Sequence, residues 1–169
     1  MLSLTPYSIP VAFINELFGE NGESFTLACV ARKLLQCDQY SVFRFRHELV
    51  RLAILENQPA HQQKNAHKRI LGCLEQKSLT LNLAWLVHHA EGALDSESVL
   101  KYAPSAAANA STLGAHKEAA SFYGKALNFV EYTDTELAAN PHENWAYEIG
   151  FTTHMKQSVI DARRHAIGL

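Results

Sequence analysis

The chain has 169 residues, an ordinary apolar share of 47% and a formal charge of −2. That length suits one domain or two small ones and buries about two-thirds of the unfolded surface. The balance of charge excludes a general electrostatic grip on nucleic acid, which needs a concentrated basic face.

The first element predicted in chain order is a helix opened by Pro10, whose missing N–H costs nothing in a first turn. Val11, Phe13, Ile14, Leu17 and Phe18 follow on a helical period, and glycines at 19 and 22 break it. Leu27, Val30, Ala31, Leu34 and Leu35 mark the apolar side of a second helix. Residues 36–40 read as a turn containing Asp38, and 41–45 as a short strand with Cys37 in a weakly signalled antiparallel partner. From Arg46 the chain reads as helical. Leu49, Leu52, Ala53 and Leu55 form a stripe that ends before Pro59, since proline disfavours αR in the residue preceding it.

A helix from about Ala60 carries Ala66, Ile70, Cys73 and Leu74 on its apolar face, and another spans about 79–93. Asp95 or Ser96 caps the next, accepting from free N–H groups of its first turn. That helix is rich in alanine (103, 106, 107, 108, 110), with Pro104 expected to kink it or split off its first turn. Small side chains let helices approach closely, so the pattern predicts stacked helical hairpins. Leu113-Gly114-Ala115-His116-Lys117-Glu118-Ala119, continuing to Tyr123 and Ala126, matches the second half of a tetratricopeptide repeat. Val159, Arg163 and Ala166 repeat that pattern at an offset of about 40 residues, against a usual period of about 34. The longer connection belongs at 132–144, and a self-association surface is expected near Leu169.

Cys29, Cys37 and Cys73 are odd in number and show no C-x-x-C spacing. Reduced thiols and a cytoplasmic location follow as expectations. The first residues lack the pattern of a signal peptide, and no run reaches the ~20 apolar residues of a membrane span.

These stretches stand in a telling order: Arg44-Phe45-Arg46-His47-Glu48-Leu49-Val50-Arg51, then Pro59-Ala60-His61 and Ala66-His67. Leu86-Val87-His88-His89-Ala90-Glu91, Tyr102-Ala103-Pro104-Ser105-Ala106-Ala107 and Leu113-Gly114-Ala115-His116-Lys117-Glu118-Ala119-Ala120 come after them. The series resembles the middle of bacterial ATP-dependent LuxR-family transcriptional regulators, of the signal-transducing (STAND) class of AAA-related ATPases. The likeness spans roughly residues 5–169 and is strongest over 43–127. It implies a mainly α fold: a winged-helix-like unit with a short β-hairpin over 1–58, then TPR-like stacked hairpins over 59–169. Family members also carry a P-loop ATPase and a C-terminal helix-turn-helix. Here no G-x-x-x-x-G-K-[ST] occurs; Lys77-Ser78 lacks the preceding glycines. The expectation is therefore a non-catalytic relay without a cofactor of its own, ATP or ADP entering only if a P-loop module is supplied elsewhere. The chain then reads as an excised piece or a degenerate stand-alone relative.

In that family a winged-helix histidine near the wing–helix junction contacts the β-phosphate of ADP and holds the inactive form closed. The resemblance assigns this place to His47; the plainer reading has His47 capping its own helix or packing beside Phe45. Arg32, Lys33 and Arg44 are the candidate DNA contacts, in a basic cluster with Arg46 and Arg51, and a solvated or interdomain face is the favoured alternative. His47 with Glu48 suggests no acid–base pair, because adjacent side chains diverge. The nine histidines give no metal-site spacing: His88 and His89 are adjacent, and His61 and His67 are six apart. Trp85, Tyr102, Tyr123 and Trp145 are expected to pack between helices. Expected partners are a P-loop ATPase module, a protein or peptide, or a second copy, with no membrane and direct nucleic-acid binding disfavoured. A free-standing helical adaptor is the rival function, and a winged-helix DNA-binding protein stands third.

Overall fold

The structure is a computed structural model that describes residues 1–19, 21–76, 82–130, 141 and 143–148. The fold is mainly helical with a small antiparallel sheet near the amino end, as the sequence predicts. It divides into two compact units, Met1–Leu79 and Thr80–Leu169. No helix among the described residues is long and apolar enough to cross a membrane.

The first unit begins with a 3-10 turn, Leu2–Leu4, and a two-residue strand β1 (Ile9–Pro10). Helices α1 (Val11–Phe18) and α2 (Asn21–Ala31) follow, then strands β2 (Leu35–Cys37) and β3 (Val42–Phe45), and helices α3 (Glu48–Glu56) and α4 (Ala60–Gln76). The sheet order is β1-β3-β2, antiparallel throughout. Pro10 caps α1 from just outside its first turn, with extended backbone (φ −65°, ψ 145°) that also closes β1. So short a strand has no alternation to read, which is why the sequence did not signal it.

Gly19 ends α1 with φ +68°, a left-handed value that costs glycine nothing. Gly22 lets α2 settle on α1: a Cβ there would lie 2.8 Å from the Ile14 carbonyl oxygen. The contact is therefore made through Gly22 and Thr26, the buried residues of α2. This corrects the expected apolar side in part: Val30 packs against the core as expected. Leu27 and Ala31 are exposed, and Leu35 leaves the helix to sit buried in β2.

The hairpin is in the predicted place. Its register pairs Leu35 with Phe45, Gln36 with Arg44 and Cys37 with Phe43. Asp38 builds the turn, its Oδ1 accepting from the backbone N–H of Tyr40 (2.8 Å) and Val42 (3.0 Å). The core gathers Leu2, Leu4, Ile9, Phe13, Ile14, Leu17, Leu35, Phe43 and Ile70. Ile70 brings α4 into this unit, so the boundary expected at 58/59 falls inside it. The expected stripe on α3 is corrected in part: Leu55 packs against the core and Leu52 is half-buried, but Leu49 is 80% exposed, Ala53 is exposed and the buried residue of that helix is Arg51.

In the second unit, α5 (Leu83–Ala93), α6 (Ser96–Thr112) and α7 (His116–Phe129) are joined by tight turns. Asp95 caps α6 as predicted, Oδ1 accepting from Ser98 N–H at 3.2 Å. Gly114, at φ +75°, makes the turn into α7. α6 runs unbroken through Pro104, so the predicted split of its first turn does not occur. Alanines 103, 106, 107 and 110 on α6, with 119, 120 and 126 on α7, are buried in the seam; Ala108 faces out. Helices joined by so short a turn and packed along their length run antiparallel. Lys125 Nζ of α7 donates to Glu91 Oε2 of α5 at 2.6 Å, linking the outer two helices of the stack. The expected second repeat at 159–166 lies outside the described residues, as does most of 132–144.

Candidate interaction surface

The sheet's alternation decides what the wing shows to solvent. Phe43 turns into the core and Phe45 is half-buried, so Arg44 and Arg46 are left outside. Arg46 N–H donates to the Leu34 carbonyl at 3.0 Å. That bond ties the wing to the chain just beyond α2, where Arg32 and Lys33 are exposed. The structure therefore brings Arg32, Lys33, Arg44 and Arg46 to neighbouring backbone.

His47 is the residue between β3 and α3. Its backbone is extended (φ −134°, ψ 126°), and it occupies the N-cap of α3 without a capping hydrogen bond from its side chain. The imidazole is exposed. Of its two plainer roles, capping its own helix is thereby corrected. An open imidazole at the positive end of a helix can donate to an anion.

Arg51 does not join the basic cluster in which the sequence placed it. It is buried, and its Nη1 donates to the Ser3 carbonyl at 2.5 Å. Its Nε lies 2.9 Å from both Glu48 oxygens, and its Nη2 lies 2.6 Å from Oε1. Hydrogen bonds from Arg51 hold the Glu48 carboxyl below its ordinary range, with the nearby positive charge adding to the effect. Glu48 is thus occupied by Arg51 and is no partner for His47.

Beside this junction α2 leaves two large apolar side chains exposed, one on each flank. Phe25 is 56% exposed and Leu27 52% exposed, with Ser24, Ala28 and Ala31 exposed between them. Phe25 leans on Phe18 of α1, ring centroids 6.2 Å apart.

The second unit holds a polar cluster that the sequence did not signal. His116 Nδ1 meets Oε2 of the buried Glu148 at 2.7 Å. Tyr123 lies in the same seam, its phenol pushed up first by burial and then by the charge of Glu148. Trp145 packs over Gly124, so helical residues 143–148 lie against α7. Thirty-two residues separate His116 from Glu148, and no local pattern joins positions so far apart. Tyr123 is buried while Trp85, Tyr102 and Trp145 are half-buried, in keeping with packing roles. The rings of His88 and His89 meet edge-on, 4.9 Å between centroids.

No family model, no curated protein and no solved structure matches the chain.

Proposed function

We propose that this chain is a non-catalytic regulatory and protein-interaction region of a LuxR-type, STAND-class ATP-dependent transcriptional regulator acting in the cytoplasm. The observation that supports this reading most is the direct passage from wing strand β3 into α3, with His47 open at the junction. An exposed imidazole at a helix start suits a contact to the terminal phosphate of ADP on a separate P-loop module. The exposed arginines around it suit an interdomain face. The alanine seam of the second unit would sense a ligand or partner and bias the head between docked and released states. A ligand shifts such an equilibrium only by its differential affinity for the two.

The free-standing adaptor remains the alternative, since a protein-binding face serves either role. Direct DNA reading is less favoured. The outer face of α2, the helix that would enter a major groove, carries Phe25, Leu27, Ala28 and Ala31 where base and phosphate contacts need polar and basic groups.

Two measurements test the proposal. The chain is expected to show no duplex binding at low salt; binding that weakens when Arg32, Lys33 and Arg44 are neutralised would replace the relay with a DNA-binding role. In a parent polypeptide carrying the P-loop and helix-turn-helix modules, His47→Ala is expected to raise reporter transcription without inducer. Unchanged basal output would remove the sensor role.

A further inference from the structure

We draw no further inference here: the strongest candidate, the apolar surface patch of Leu49, Ala53 and Ile54 on the outer side of α3 beside the His47 junction, is an unpartnered helix face, and nothing in the structure shows what covers it.

Discussion

At the scale of single residues, Arg51 shows how far a side chain's role can lie from its sequence company. Three basic residues at 44, 46 and 51 look like one patch, yet the helical turn that starts at His47 swings Arg51 inward to the Ser3 carbonyl. Hydrogen bonds to charged donors contribute about 1.5–3 kcal/mol, and removal of the guanidinium leaves a buried carbonyl unpaired. Arg51→Ala is expected to cost about 2 kcal/mol in urea unfolding. Glu48→Gln should barely move the midpoint, because its carboxylate faces water. The depressed Glu48 group acts in a known direction: any stability it contributes is present at neutral pH and is lost as pH falls through its folded-state value. Tyr123 acts oppositely. Its phenol is raised above the ordinary 10.0, so the neutral form is the folded one. Stability is full below about pH 10 and declines as pH rises through the folded value. Tyr123→Phe should remove that alkaline decline in a series of unfolding midpoints between pH 8 and about 11. None of this could be read from the sequence, because Glu148 meets α7 only in the folded chain.

At the scale of elements, the chain's punctuation was more legible than its faces. Pro10, Gly19, Asp38, Asp95 and Gly114 end or open elements through local backbone chemistry, so their roles could be read one residue at a time. The β-hairpin was legible because alternation through Phe43 and Phe45 is strict. The inward faces of α2 and α3 were legible only in part: Val30 and Leu55 pack against the core as their period predicts, while Leu27 and Leu49 stay exposed. Periodicity assumes that the most apolar side packs, whereas α2 packs through Gly22, where closeness outweighs apolar area. Gly22→Ala is the corresponding test. Alanine favours helix by about 1 kcal/mol, but its Cβ would fall 2.8 Å from a backbone oxygen that cannot yield cheaply. Overpacking of this kind costs about 1–3 kcal/mol. A net loss of stability is expected; a gain would mean that α1 and α2 are freer to separate than the geometry implies. The alanine seam of α6 and α7 was legible for the opposite reason, since alanine recurs through the buried positions of both helices and the period is unbroken.

At the scale of the whole molecule, two compact units carry different kinds of surface. The first exposes cations, an imidazole and two large apolar side chains of α2; the second closes a polar cluster inside an alanine-rich stack. The neighbourhood of Arg44, Arg46 and His47 could be read from the sequence because they lie within a few residues of one another where a strand becomes a helix. The sequence could not place the exposure of Phe25 and Leu27, since α2 buries Gly22 and Thr26 instead. The central claim, that His47 reads a bound nucleotide on a neighbouring ATPase module, is tested most directly by calorimetric titration of ADP. The protein to titrate is the parent polypeptide, with and without His47→Ala. Loss of a charge-assisted contact to phosphate predicts ADP binding weaker by about tenfold or more, on the order of 1.5–3 kcal/mol; an affinity equal to wild type would contradict it.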